Sequence, residues 1–335
     1  MNSEKESGKR NSLATLMGKM DKSLLLLIVL TLIVLVAFSV ASPDFLTLTN
    51  MRNIAVQVAP EAIVAVAMTF VITAGMIDLS VGSILALTTV VSALILKTSV
   101  DSSVGIIAGI AVGALCGVIN GWFSSYQKMP SFIVTLATMS ALRGVALLIT
   151  LGYSIPIAAG RWFTHIGQGR FLGMGIPAWS ALVVAVIGMV GLHNMRFGEY
   201  ITGIGSNEES VRRAGVNTNG MKMLALTLSG AAAGLAGVIT AARLGTGDAN
   251  SATDFSMTVI TAVVIGGTDL LGGKGSVLGS LIGAILLGMI TDGLTLLNLS
   301  PYIIPVVTGV LLLTVIWANL HGVSVAQFVK RRMQS

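Results

Sequence analysis

The chain has 335 residues, 54% of them hydrophobic and 10% charged, with 20 Lys+Arg against 14 Asp+Glu, net +6 and mean hydropathy +0.90. A soluble domain carries about 25% charged residues, so this composition excludes an ordinary cytosolic enzyme. The basic residues are scattered in ones and twos rather than gathered in a stripe, which argues against a nucleic-acid partner despite a pI of 9.7. With 39 Gly and 5% aromatics, the remaining reading is a bundle of closely packed membrane helices. Cys116 stands alone, and His165, His193 and His321 lie far apart, so neither a disulfide framework nor a metal site is expected.

Residues 1–22 form a polar, basic tail. A transmembrane helix needs about 20 largely apolar residues, and 23–41 meets this without a charge. Apolar runs follow at 57–74, 81–97, 104–123, 131–152, 177–193, 221–242, 256–268, 276–291 and 301–319, giving about ten spans, and 320–335 is a second tail. An even count places both termini on one side. That side then holds 14 Lys and Arg, the other holds 5, and Arg143 lies within a span, which accounts for all 20. The positive-inside rule makes the first side, with both termini, cytoplasmic.

Taken in order, the candidate residues begin with Glu61. It follows Pro60, and Pro favours the first helical position, so Glu61 is expected at a helix N-terminus near the interface. Gly75–Ser80 separates two apolar runs, and Asp78 is expected at a span end within reach of water, as is Asp292. Gly105, Gly109, Gly113, Gly117 and Gly121 recur every fourth residue, leaving one helix face without side chains. That face is either static packing or a sliding surface for a gate. Asn120 lies beside this stripe and, with Glu61, Asp78 and Arg143, is a candidate pathway or gate residue. Arg143 sits mid-span, where charge is costly and usually functional; pairing with a carbonyl or an acid of another span is its simpler role.

The loop 194–220 is the most informative polar segment. Ser206 and Glu209 have capping-box spacing, Glu208 and Glu209 fall in a first turn, and Arg212 and Arg213 in a last. Gly215 then supplies a left-handed stop. A two-turn helix over Asn207–Ala214 is predicted, serving either as a connector on lipid headgroups or as a docking element for another protein. The run Gly267–Ser276 resembles a phosphate loop, but Thr268 replaces the first Gly and Gly275 replaces the Ser or Thr after Lys274, so ATP binding is not expected there. Val71–Leu79 is echoed by Val259–Leu270, both placing Asp-Leu in a Gly-rich break. This points to internal duplication of the kind found in transporters.

Asp44-Phe45, Asn53-Ile54, Glu61–Ile72 and Gly75–Ser83 together resemble the ribose-type sugar permeases of bacterial ABC importers. Ala262–Thr268, Gly272–Ser276, Gly279, Ile282–Ala284, and Gly205–Glu209 with Arg213 and Gly215 fit the same family, over about residues 40–320. The resemblance implies an all-α membrane protein of about ten transmembrane helices, a type II ABC importer-like permease bundle in the bacterial inner membrane. It implies a pair of such subunits, a homodimer, with two cytoplasmic ATPases that hold ATP and Mg. A periplasmic or lipid-anchored binding protein would deliver a small sugar. It also implies that Ser206, Asn207, Glu208, Glu209, Arg212, Arg213 and Gly215 form the coupling helix that meets the ATPase. Here the segment reads Glu-Glu-Ser where the broader importer motif has Glu-Ala-Ala. No nucleotide-binding or catalytic motif is expected in this chain. The rivals are an ion-coupled secondary transporter, a permease for a sugar-derived signal such as autoinducer-2, and an intramembrane enzyme.

Overall fold

A computed structural model describes residues 22–98, 100–158, 162–314 and 316–317; the expectations for the two tails lie outside these residues, Lys22 excepted. The chain is an all-α membrane protein. Seven described helices are long and apolar enough to cross a membrane: α1 (Lys22–Ala41), α2 (Leu48–Thr73), α4 (Ser102–Gly121), α5 (Ser131–Thr150), α7 (Ile176–His193), α9 (Thr218–Leu244) and α11 (Val277–Leu296). Three shorter apolar helices join them: α3 (Val81–Leu96), α10 (Phe255–Ile265) and α12 (Ile303–Thr314). Each of the ten coincides with one of the ten apolar runs. Two further described helices lie outside that set, α6 (Phe163–Gln168) and α8 (Arg196–Arg213).

Helix α2 starts nine residues before the apolar run that marks it, because Leu48–Gln57 is polar enough to hide a helix. Its start is set by Thr47, whose side chain accepts from the Asn50 N–H at 3.3 Å. Glu61 is therefore in the middle of a 26-residue helix and not at its N-terminus. The interior Pro60 has no N–H and leaves the Val56 carbonyl without its helical donor. The Arg243 guanidinium, on α9, donates to that carbonyl at 3.5 Å.

From Ala62 onward every residue of α2 is buried, as is nearly all of α3. A helix that is apolar all round belongs in the centre of a bundle, and α9, α11, α7 and α10 pack about these two. At the rim, α1 is also apolar all round, yet it exposes Leu26, Val29, Leu32, Ile33, Val36 and Val40. It rests on α11 where the Phe38 ring fills the space beside Gly293. Lipid tails are as apolar as leucine, so packing in lipid depends on close approach rather than on hydrophobic burial. Glycine supplies that approach between α4 and α9. A Cβ on Gly113 would overlap the Gly230 carbonyl and stand 2.8 Å from Gly234 Cα, and one on Gly230 would stand 2.8 Å from Gly117 N. Gly109 faces Val238 and Ser92, Gly121 faces Met223, and Gly105 turns to Leu96 of α3.

The described parts of the connection after α5, 151–158 and 162–175, fold back over one end of the bundle. Strand β1 (Ile155–Pro156) pairs antiparallel with β4 (Thr246–Gly247), and β2 (Arg170–Phe171) with β3 (Met174–Gly175). Between the pairs, α6 presses Gly167 onto the backbone of Ala242 and Arg243.

Candidate functional site

The end of the bundle away from β1–β4 is built from two helix breaks and α8. Helix α2 ends at Thr73 in a Schellman motif: Gly75, at φ +73°, donates to Ile72 O, and Met76 N donates to Val71 O. Helix α10 ends the same way, Gly267 at φ +87° donating to Val264 O and Thr268 N to Val263 O. In both breaks an Asp side chain then caps a turn, Asp78 Oδ1 accepting from Ser80 N and Asp269 Oδ1 from Leu271 N, each at 2.9 Å. The two breaks are thus alike in backbone geometry. The letter match of Val71–Ala74 to Val259–Ala262 is one helical turn out of step with it, since Val71 occupies the place of Val263.

Asp78 is fully buried, not wetted at a span end. Its Oδ1 also accepts from Ser80 Oγ at 2.6 Å, and its Oδ2 accepts from Ser229 Oγ of α9 at 2.8 Å. Ser80 Oγ in turn accepts from Asn120 Nδ2 of α4 at 2.8 Å. Three donors thus converge on this buried carboxyl, as a buried polar group requires. Asp292 is likewise buried, its Oδ2 accepting from Asn50 Nδ2 at 2.6 Å. In both cases the partner lies more than a hundred residues away, beyond any local pattern.

Below Asn120 the helix widens into a π-helical turn over Trp122–Tyr126. This brings Ser124 and Ser125, consecutive residues, to the inside, where both are buried. Asn120 Oδ1, Ser124 Oγ, Ser125 Oγ and Ser83 Oγ have no hydrogen-bond partner among the described residues. Ser124 and Ser125 line a cavity of about 490 Å³ together with Gly75, Ser131, Lys128 and Glu208, a size within the range of small-molecule sites. Ile77 ties the break to α5, its N–H donating to Ser131 Oγ at 3.1 Å and its carbonyl accepting from Thr135 Oγ1 at 3.2 Å.

Helix α8 closes this end. It is two helices fused across a kink at Asn207 (φ −161°, ψ 92°), so the predicted two-turn helix is the second limb of a longer element and not an isolated piece. Its cap is Asn207, whose Oδ1 accepts from Ser210 N at 3.0 Å. Ser206 belongs to the first limb and donates to Thr202 O at 3.0 Å. Glu209 is turned forward onto Arg212 and Arg213, with Arg213 Nε at 3.0 Å, so the expected capping box is replaced by an Asn cap and an intrahelical ion pair. Glu208 accepts from Thr218 Oγ1 and Lys222 Nζ, both at 3.1 Å, which fastens the limb to the start of α9. Gly215 stops the helix at φ +87°, completing a third Schellman motif with Gly215 N donating to Arg212 O.

Arg143 lies far from this cluster. Its half-buried guanidinium donates to the carbonyls of Ala249, Ser251 (2.8 Å) and Ala252 (3.4 Å) in the loop before α10. A cation buried among carbonyls is stabilised as a helix–loop clamp, the carbonyl pairing foreseen for it. Glu61 is also remote, and its Oε2 has no hydrogen-bond partner among the described residues. The structure therefore brings Asp78, Asn120 and Ser206–Gly215 to one end and leaves Glu61 and Arg143 elsewhere. Ser80, Ser124, Ser125 and Ser229 were not singled out from the sequence, and serines in apolar spans carry no pattern that would have marked them.

Residues 50–316 match the family described as branched-chain amino acid transport system / permease component. The chain belongs to this permease family. The ribose import permease RbsC of Escherichia coli K12 is 41% identical to it over 298 residues, covering 88% of this chain and 91% of the relative. RbsC of Bacillus subtilis 168 is 38% identical over 84% of this chain and 88% of its own length. The L-arabinose transport system permease AraH of Escherichia coli K12 is 32% identical, covering 87% and 88%. No solved structure matches the chain. With this family and these apolar helices, the permease is a multi-pass protein of the inner membrane.

Proposed function

We propose that this permease carries a small, sugar-like solute into the cytoplasm and is driven by separate ATPase subunits. The observation that carries the reading is full-length similarity to ribose and arabinose permeases. The geometry supports it: the break end concentrates Lys128, Arg196, Arg212, Arg213, Lys222 and Lys274, so the positive-inside rule makes it cytoplasmic. The second limb of α8 stands on that face with Arg213 and Glu209 exposed, available to a docked ATPase. ATP and Mg are assigned to that partner, and delivery of the solute to a binding protein on the other side.

The solute's inner station in this reading is the cavity at the π-helical turn. Its unpartnered buried hydroxyls can each donate and accept, which suits a solute made of hydroxyl groups, and Asn120 Oδ1 extends the polar seam toward Asp78. Helix α5 borders the same cavity and exposes Phe132, Ile133, Leu136 and Leu148 along one side, the face assigned to a second permease copy. Reconstitution of the chain with its ATPase and binding protein tests the proposal: uptake of labelled monosaccharide should depend on ATP. Uptake by the chain alone on an ion gradient would overturn it.

A further inference from the structure

The glycine-rich run Gly272-Gly273-Lys274-Gly275 is unexplained by nucleotide binding, and its position in the fold suggests another use. Gly272 (φ +88°) and Gly273 (φ +79°) are consecutive left-handed residues, a backbone that only glycine adopts without strain. That turn lets the loop lie flat against two other backbones. A Cβ on Gly272 would stand 2.8 Å from Gly75 N, 2.9 Å from Gly75 Cα and 3.0 Å from Gly205 Cα. Gly273 N donates to Thr73 O, the last carbonyl of α2, at 2.9 Å. A Cβ on Gly205 would overlap both Thr73 O and Gly273 N, and one on Gly273 would stand 3.2 Å from the Ser206 backbone. Three chain segments thus meet backbone to backbone: the α2 break at Gly75, the α10–α11 break at Gly272, and α8 at Gly205, two residues before its kink.

We infer that this three-glycine junction is the transmission point of the permease, with Gly75, Gly205 and Gly272 as positioning residues that make the base of α8 move with both breaks. Backbone-to-backbone contact without intervening side chains leaves no soft rotamers to absorb a displacement. A pull on the exposed limb of α8 therefore reaches α2–α3 through Thr73 and Gly75, and α10–α11 through Gly272 and Gly273. The inference rests on the proposed coupling role of α8. It adds that the force divides at one point between the two similar breaks, and that the Asp78 network then relays one branch to α4 and α9.

The test uses the complete importer in proteoliposomes, with uptake and ATP hydrolysis measured in parallel. Gly205→Ala and Gly272→Ala should each lower solute carried per ATP hydrolysed by about tenfold, a size reached by positions that carry coupling, while hydrolysis by the assembled complex persists. Gly309→Ala on α12, where a Cβ meets none of the described residues within 4 Å, should leave the ratio unchanged. If uptake and hydrolysis fall together, or neither falls, the junction is only structural and the inference is overturned. For variants that fail to assemble, spin labels on Leu271→Cys and Ser210→Cys in a Cys116→Ser background give a second reading. Their separation should be the same with and without a non-hydrolysed ATP analogue; a change between states overturns the inference. Charge reversal at Arg213 separates the two ideas. If it alters coupling and the glycine variants do not, the docking role stands and the junction falls; if neither does, the docking role itself is wrong.

Discussion

Ser229 and Asp78, 151 residues apart in sequence, meet inside the bundle, Ser229 Oγ donating to Asp78 Oδ2 at 2.8 Å. This bond joins the α2–α3 break to the middle of α9. Leaving a buried polar atom without its partner costs roughly 1–3 kcal/mol. Ser229→Ala should therefore lower the thermal-unfolding midpoint of the purified permease in detergent. An unchanged midpoint would show that the Asp78 carboxyl does not depend on this donor.

The α4–α9 seam makes a sharper contrast. Gly113→Ala places a methyl group against the Gly230 carbonyl and should destabilise by about 1–3 kcal/mol through overpacking. Gly309→Ala, on the open side of α12, should be neutral or gain up to about 1 kcal/mol from helix propensity. Thermal unfolding of the two variants side by side checks whether the stripe is close packing; equal behaviour would refute it.

A pH response is expected at the N-terminus of α4. Asp101 caps that helix, its Oδ1 accepting from Ser103 N at 2.8 Å and its Oδ2 from Trp162 Nε1 at 3.3 Å. The Ser103 hydroxyl and N–H, then the Trp162 indole, pull its carboxyl from the ordinary 3.8 down to about 2. A folded value below the unfolded one means the cap's contribution is present above pH 3.8 and lost as pH falls through about 2. Difference spectra of Trp162 fluorescence, wild type minus Asp101→Asn, should change across that window. A change centred near pH 4 instead would mean the carboxyl is unperturbed.

On the face assigned to the ATPase, the two glutamates separate in role. Glu208 is spent on Lys222 and Thr218, so Glu208→Lys should lower stability as well as coupling. Arg213 is 80% exposed beyond its contact with Glu209, and reversal to Glu should cut transport per ATP by about tenfold, within the usual span of a coupling energy, at little cost in stability. Parallel melting curves and transport ratios distinguish the two variants; identical profiles would contradict this division.

How much of this was written in the sequence follows from the range of each interaction. The ten apolar runs, the Gly75–Ser80 interruption, the Gly215 stop and the stripe Gly105–Gly121 are local periodicities, and each marks a feature at the expected place. The cap of the second α8 limb shifts by one residue because Ser206 and Asn207 are both good caps, and only the backbone turn at Asn207 chooses between them. Glu61 was misplaced because Pro60 suits a helix start, whereas Thr47 begins the helix thirteen residues earlier. Burial of Asp78 and Asp292 depends on Ser229, Asn120 and Asn50, contacts that form only when distant helices pack. The junction at Gly75, Gly205 and Gly272 is invisible for the same reason.

The most direct measurement is uptake of a panel of labelled monosaccharides into proteoliposomes holding this chain, its ATPase and its binding protein. The account predicts accumulation only when ATP is supplied on the side of Arg213 and all three components are present. Accumulation by the chain alone, driven by a proton or sodium gradient and indifferent to ATP, would contradict it.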